Sequence, residues 1–91
     1  MKLSFPNQSR SFDESKNRVR FWGYDRAMEI SFFVEEDALK QLCPETSKEE
    51  AELLKAFDAT RDQIYEVANK IYGRGGKKGT YAYILAAKDF S

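Results

Sequence analysis

The chain has 91 residues, of which 42% are hydrophobic and 14% aromatic, and its 15 basic and 15 acidic residues leave no net charge. This apolar content excludes a disordered tail. The neutral balance argues against broad, non-specific binding to nucleic acid, because such binding depends on neutralising phosphates. We therefore expect a single domain over residues 1–91, large enough to fold without disulfides.

The chain carries no pattern typical of export or of a membrane. Its first residues lack the apolar segment of a secretory signal. No apolar run approaches the ~18 residues of a membrane helix. Cys43 is the only cysteine, so an internal disulfide is excluded. We expect a cytoplasmic protein that does not enter a membrane.

The first elements are an arm and a short strand. Residues 1–8 are expected to form an N-terminal arm, in which Phe5-Pro6-Asn7 is an extended segment that enters a turn. A short strand carrying Phe12 is expected within Ser9–Asp13. The polar residues 14–17 then form a loop before the next strand.

A hairpin is predicted between Arg18 and Val34, because two alternating runs of β-favouring residues meet at the polar pair Asp25-Arg26. Side chains alternate between the two faces of a strand. One face is therefore apolar and predicts a core, and it carries Val19, Phe21, Met28, Ile30, Phe32 and Val34. The opposite face, which we call the hairpin surface, carries Arg18, Arg20, Trp22, Tyr24 and Phe33, with Glu29 beside them.

Two helices are predicted after the hairpin. The acidic residues 35–37 suit the first turn of a short helix, which Pro44 ends. A second helix is predicted over Ser47–Tyr72, with Ser47 and Glu50 as a capping box and Gly73 as its C-terminal cap. Unbroken, it would be roughly 39 Å long. It should therefore overhang the domain, bend, or pack on a second copy.

Thr60 lies in the centre of the apolar stripe of this long helix. Its hydroxyl is expected to donate to the carbonyl of Ala56 while its methyl group packs in the core. The alternative is a polar gap at which the helix bends or another chain makes contact.

The chain ends in a basic glycine-rich loop and a last strand over Thr80–Ala87. The loop carries the candidate basic residues Arg74, Lys77 and Lys78. It follows a helix, whereas phosphate-binding loops precede one. Its charge is expected to complement the helix end, and contact with a polyanion or an acidic partner is the alternative.

The sequence contains no histidine, which removes the commonest general base and metal ligand. Cys43, between Leu42 and Pro44, is typical of a small buried apolar residue. The carboxylates cluster where helices begin, as solvated first turns do. We therefore expect no enzyme activity, no catalytic residues, no cofactor and no metal site.

The hairpin surface is the candidate functional surface, and three roles remain open for it. The arm can cover it, with Phe5 on Trp22. It can contact protein, because aromatic residues and arginine are enriched in interfaces. It can also stack the bases of single-stranded nucleic acid. Glu29 weakens this last role, because it shares the face and can pair with Arg20 across the strands.

Several segments along the chain together carry a resemblance to known proteins. They are Phe5–Asn7, Ser9–Asp13, Val19–Gly23, Glu29–Phe33, and the helical residues Phe57, Asp58, Arg61 and Ile64. In these segments the chain resembles a family of small bacterial proteins, the domain-of-unknown-function 1488 family, and the resemblance covers nearly the whole chain. It implies a stand-alone, bacterial, cytosolic α+β protein and brings no established activity or catalytic residue. Asp58 and Arg61 lie one helical turn apart, so a structural ion pair explains them.

The predicted fold is α+β. An antiparallel sheet of three to four strands has the long and the short helix on one face, in ββ(β)ααβ order. The predicted function is that of a non-enzymatic, protein-interaction or self-associating accessory module. Its expected partner is a second copy or an unknown protein. The alternative is a nucleic-acid-binding regulator that uses the hairpin surface and the basic loop.

Overall fold

The structure is a computed structural model that describes residues 3–74 and 82–90. Within them, strands precede helices and a last strand follows, which confirms the predicted α+β class. The elements are β1 (Ser11–Asp13), β2 (Arg18–Asp25), β3 (Met28–Glu35), α1 (Glu36–Leu42), α2 (Glu50–Ala59), α3 (Arg61–Gly73), β4 (Ala82–Leu85) and a short 3-10 helix (Ala87–Phe90). The described strands form one sheet in the order β1-β2-β3-β4.

The predicted hairpin is confirmed as β2 and β3. Asp25 lies opposite Met28, so Arg26 and Ala27 form a two-residue turn. Arg26 has a φ of 59°, the left-handed conformation that such tight hairpin turns require. The predicted alternation also holds, since its core face is buried apart from Met28, which is exposed at the open end of the hairpin.

The sheet is mixed rather than antiparallel, which corrects the prediction. β1, β2 and β3 pair antiparallel, but β4 pairs parallel to β3. Parallel neighbours need a long crossover connection. The three helices between β3 and β4 supply it by returning the chain to the end of the sheet at which β3 begins. The predicted last strand is shorter, Ala82–Leu85, and Thr80 and Tyr81 lie outside the described residues.

The predicted long helix is divided at Thr60 into α2 and α3. Thr60 has a φ of −120° and a ψ of 20°, which ends the helical path. Its hydroxyl donates to the carbonyl of Ala56 at 2.8 Å, as predicted, and this back-bonding is typical of helix bends. The longest dimension of the molecule is 34 Å. A straight helix of about 39 Å would therefore overhang the sheet, so the bend keeps both halves packed on it.

Both ends of the predicted helix also differ. Ser47 and Glu50 do not form a capping box, because α2 begins at Glu50 and Glu49 is its N-cap residue, without a side-chain hydrogen bond. The carbonyl of Lys48, just before α2, accepts a hydrogen bond from the Asn17 side chain at 3.3 Å. Gly73 is the last helical residue rather than the cap.

The helices cover one face of the sheet. Phe21 is the centre of the core, with its ring centroid 5.2 Å from that of Phe32 and 5.3 Å from that of Phe57. Fully buried side chains come from the sheet and from all three helices. They are Val19, Phe21, Phe32, Val34, Leu85, Ala38, Leu39, Leu53, Phe57, Ile64 and Ala68. None of the helices formed by the described residues is long and apolar enough to cross a membrane.

The C-terminal end of α3 is tied to the end of β2. The Tyr72 hydroxyl donates to Asp25 Oδ2 at 2.6 Å. This hydrogen bond to a carboxylate favours the neutral phenol and raises the pKa of Tyr72 to about 12. The contact fixes α3 across the sheet, which helps to hold all helices on the same face.

Candidate interaction surface

The opposite face of the sheet is the candidate surface, and we call it the outer face. No helix of the described residues packs on it, because the helices cover the core side. The register places its residues in rows across the strands. They are Ser11 and Asp13 on β1; Arg18, Arg20, Trp22 and Tyr24 on β2; Glu29, Ser31, Phe33 and Glu35 on β3; and Ala82 and Ile84 on β4.

The structure places all five residues of the predicted hairpin surface on one face, and four of them contact one another. Arg18 lies over the Phe33 ring, with its Cζ atom 3.8 Å from the ring centroid. Arg20 Cζ lies 5.3 Å from the centroid of Trp22 and 5.6 Å from that of Phe33. These distances are within the range of cation–π attraction. The arginines and aromatic rings therefore form one continuous layer.

The two arginines of this layer differ in their partners. Arg18 Nε donates to Asp13 Oδ2 at 2.9 Å, and the hydrogen bond of Ser15, with that of Arg18, lowers the pKa of Asp13. Arg20 instead donates to the hydroxyl of Ser31 at 3.0 Å, and its buried Nε atom has no hydrogen-bond partner in the described structure. Arg20 is thus the cation of the outer face that lacks a carboxylate partner.

Glu29 does not pair with Arg20, which corrects the sequence-based alternative. The register places Glu29 opposite Tyr24, at the far end of the hairpin from Arg18. The Tyr24 hydroxyl donates to Glu29 at 2.6 Å. This hydrogen bond to an acceptor raises the pKa of Tyr24. Glu29 therefore lies at one end of the hairpin, whereas Asp13 and Glu35 lie beside Arg18 at the other end.

The N-terminal arm does not cover Trp22, so this proposed role of the arm is wrong. Ser4 pairs with Tyr24 through two backbone hydrogen bonds, at the edge of β2. Phe5 turns to the core side, where its ring stacks on Tyr65 at 3.9 Å between centroids. The buried Leu3 N–H donates to the Asn69 side chain at 2.7 Å. The arm thus packs Leu3 and Phe5 in the core, and its Asn7 side chain reaches the end of the outer face, where it hydrogen-bonds the Tyr24 hydroxyl.

The sequence did not identify Ile84 as part of the outer face. Its side chain is 48% exposed, and it lies beside Phe33 in the register of β3 and β4. Parity within the last strand separates Ile84 from Tyr83, but only the parallel pairing reveals which face it joins. Ile84 extends the apolar area of Trp22 and Phe33 toward the edge of the sheet.

Of the three candidate basic residues in the loop, Arg74 lies within the described residues. Arg74 is exposed and follows α3 directly, and its N–H donates to the carbonyls of Lys70 and Ile71. Lys77 and Lys78 lie outside the described residues.

A second cluster of charges lies at the bend between α2 and α3, beside a hollow of about 440 Å³. Asp58 accepts two hydrogen bonds from Arg10, at 2.8 and 3.0 Å, and one from Arg61 at 2.7 Å. Burial raises the pKa of Asp58, but these hydrogen bonds together outweigh burial and lower it. This confirms the expected ion pair of Asp58 and Arg61. A carboxyl group that acts as a general acid near neutral pH needs a raised pKa instead.

Cys43 follows α1 directly, and it is half-buried, whereas the sequence predicted a buried residue. The described residues contain no cluster of three or more cysteine or acidic side chains that could hold a metal ion.

Comparison with known proteins places the chain in a family. One solved structure, a protein of unknown function of the DUF1488 family from Shewanella loihica PV-4, is similar to the chain with a TM-score of 0.80 and 19% identity, over 92% of this chain and 91% of that one. At this identity the similarity shows the fold alone. No curated protein matches the chain. The model of the DUF1488 family, described as a protein of unknown function, matches residues 3–85, and the chain therefore belongs to this family.

Proposed function

We propose that this chain is a non-enzymatic interaction module that binds a second copy of itself through the outer face. The observation that carries the proposal is a sheet face with three aromatic side chains and an exposed isoleucine, and no described helix covering it. Aromatic residues and arginine are the residue types that protein interfaces favour. The absence of histidine from the sequence supports a role other than catalysis.

The charges of the outer face favour a second copy over a polyanion. The face carries two arginines and three carboxylates, the latter being Asp13, Glu29 and Glu35. Nucleic acid binds where cations outnumber anions. A face with both signs at separate positions can instead complement itself. The same balance argues against the nucleic-acid-binding regulator considered from the sequence.

The size of the outer face sets the expected strength of association. Its strands have three, eight, eight and four residues. At about 3.3 Å per residue and about 4.8 Å per strand, they cover a flat area of roughly 360 Å². The two faces of a pair would together bury roughly 700 Å² of such flat area, not counting the added surface of protruding side chains. This buried area is less than the ~1,200 Å² of a stable interface. We expect weak association, with dissociation constants in the micromolar range.

Analytical ultracentrifugation of the full chain up to millimolar concentration tests this proposal. The chain offers a matched pair of variants, because Met28 and Ile84 are the exposed large hydrophobic residues of the described structure, at 55% and 48%. Ile84→Lys adds a charge to the outer face and should weaken association about tenfold or more. Met28→Lys adds the same charge off this face and should leave it unchanged. A strictly monomeric wild-type chain, or equal effects of the two variants, would contradict the proposal.

Titration with fluorescently labelled single-stranded RNA and DNA at low salt tests the alternative. Under the proposal we expect no binding that involves the outer face. Binding that weakens with added salt and is lost on replacing Arg20 and Trp22 would overturn the proposal in favour of nucleic acid, because salt-sensitive affinity marks contacts to phosphate.

A further inference from the structure

We propose a specific arrangement of this pair, which rests on the proposed function. The two copies are related by a two-fold axis that runs parallel to the strands, between β2 and β3. In this arrangement, β2 of one copy lies over β3 of the other. The two sheets then stack face to face, with the helices of both copies on the outside.

The register of the hairpin is the observation behind this arrangement. Within one chain, Arg18 lies opposite Glu35, and Tyr24 lies opposite Glu29. A two-fold axis between the two strands places each residue of β2 over the second copy of its own register partner. Arg18 therefore faces Glu35 of the second copy, and the Tyr24 hydroxyl faces a Glu29 carboxylate. Every complementary pair of the hairpin is thus repeated across the interface.

The same axis provides partners for the middle of the face. Arg20 lies opposite Phe33 in the register. Across the interface, it therefore faces Phe33 of the second copy. The ring of its own Phe33 already lies 5.6 Å from its Cζ atom, so the guanidinium becomes enclosed between two aromatic rings. Enclosure between rings suits a cation without a carboxylate partner, because cation–π attraction increases when water is removed.

The other two-fold arrangement of the same faces is less favourable. If the axis ran across the strands, β3 would lie over β3 in the reverse direction. Glu29 of one copy would then face Glu35 of the other, at both ends of the interface. Like charges placed directly opposite are destabilising. Glu35 forms no ion pair within residues 3–74 and 82–90, so this repulsion would not be relieved inside the described chain.

The known geometry of stacked sheets accommodates the proposed pairs. Aligned sheets lie about 10 Å apart, with their strands rotated by about 30°. Arg18 and Glu35 lie three residues from the middle of the hairpin, or about 10 Å along the strand. The rotation displaces them sideways by about 5 Å, close to the spacing of one strand. The long side chains of arginine and glutamate can cover this offset.

A charge exchange between two variants tests the arrangement. Arg18→Glu puts glutamate against Glu35 of the second copy, and Glu35→Arg puts arginine against Arg18. For each variant alone, the affinity of self-association should be lower than that of the wild type by about tenfold or more, because the two-fold axis makes the repulsive contact occur twice. An equimolar mixture of the two should form a heterodimer of near wild-type affinity, because each contact again joins opposite charges. Sedimentation of the mixture and of each variant measures this difference.

A cross-link provides a second test that does not depend on Arg18, which also pairs with Asp13 in its own chain. In a Cys43→Ser background, Glu35→Cys introduces one thiol per copy. The backbones of the two cysteines lie about 11 Å apart in the proposed arrangement, but about 22 Å apart if the axis crosses the strands. A bismaleimide with a short spacer should therefore link two copies. Glu66→Cys in the same background is the control, since Glu66 is 72% exposed on α3, on the outside of the proposed pair, and it should not be linked.

The outcomes separate the arrangement from the proposed function. If the wild type associates and Ile84→Lys weakens it, but the mixed variants do not recover affinity and Glu35→Cys is not linked, the arrangement is wrong and the proposed function stands. If the wild type does not associate at all, both are wrong. Circular dichroism of each variant confirms that lost association is not lost folding.

Discussion

At the scale of single residues, Gly23 determines how the arm meets the core. A Cβ atom at this position would lie 2.7 Å from Phe5 Cε1 and 3.3 Å from Phe32 Cε2. The first distance is shorter than real Cβ contacts, so Phe5 would have to leave its stacked position on Tyr65. Gly23 thus provides the space in which the arm closes the core.

We expect Gly23→Ala to lower the free energy of unfolding by about 1–2 kcal/mol, because it overpacks this contact. Urea unfolding followed by circular dichroism measures the change. Gly73→Ala is the matched control, since nothing lies within 4 Å of a Cβ atom there and the residue is helical. The control should raise stability by about 0.5–1 kcal/mol. Equal effects of the two substitutions would show that Phe5 does not pack against Gly23.

The sequence predicted which residues share the outer face but not which of them bind one another. Strict alternation along β2 and β3 determines the face of each side chain. The partners depend on the register and on β1, since Arg18 binds Asp13 and Arg20 binds Ser31. A long arginine side chain reaches several neighbours across strands. Alternation alone could not distinguish these contacts from the expected pair of Arg20 and Glu29.

At the scale of elements, Asp58 joins three segments of the chain. Its carboxylate binds Arg10 from the segment before β1 and Arg61 at the start of α3. Arg61 also donates to the carbonyl of Gln8 at 3.0 Å. The network therefore fixes the N-terminal segment to the bend between α2 and α3.

We expect Asp58→Asn to lower the free energy of unfolding at pH 7 by about 1 kcal/mol, because solvent screens a side chain that is 42% exposed. The folded-state pKa of Asp58 is lowered, so its contribution is present above the unfolded-state pKa of about 3.9 and is lost as the pH falls below it. The destabilisation of the variant should therefore begin to decrease below about pH 3.9 and continue to decrease toward the lower folded-state pKa. Urea unfolding from pH 7 to pH 2 measures it.

The exposed pair of Glu66 and Lys70, with side chains 72% and 63% exposed, is the control for this network. Glu66→Gln should change stability by about 0.3 kcal/mol or less. If Asp58→Asn has no larger effect than this control, the network does not hold the N-terminal segment in place.

Local patterns predicted the elements, and tertiary packing changed their limits and pairing. The hairpin and α1 are confirmed because alternation, turn and first-turn acids all agree there. The division at Thr60 has no Gly or Pro signal in the sequence. A polar residue within the apolar stripe allows a bend there but does not require one. The parallel pairing of β4 depends on the path of three helices, which no local pattern records.

At the scale of the whole molecule, the two faces of the sheet differ in what covers them. The core side holds the helices and the arm, and its side chains determine stability. The side chains of the outer face contact one another, but no helix of the described chain covers them. If the proposed function holds, changes on the core side should affect folding, and changes on the outer face should affect association.

Trp22 tests this separation because it is the only tryptophan, and it lies on the outer face. In dilute solution, acrylamide should quench its fluorescence, since Trp22 is half-buried and no described helix covers it. Quenching should decrease as the protein concentration rises, because a second copy excludes the quencher. The Ile84→Lys variant should show no such decrease.

Phe5→Leu provides the complementary measurement on the core side. It removes the stacked pair with Tyr65 and should lower the free energy of unfolding by about 1 kcal/mol. It should leave the quenching of Trp22 in dilute solution unchanged, because the Phe5 ring lies on the opposite face of the sheet. An increase in quenching would mean that the arm protects Trp22 after all. Stability and quenching together thus test whether Phe5 acts in folding and Trp22 in association.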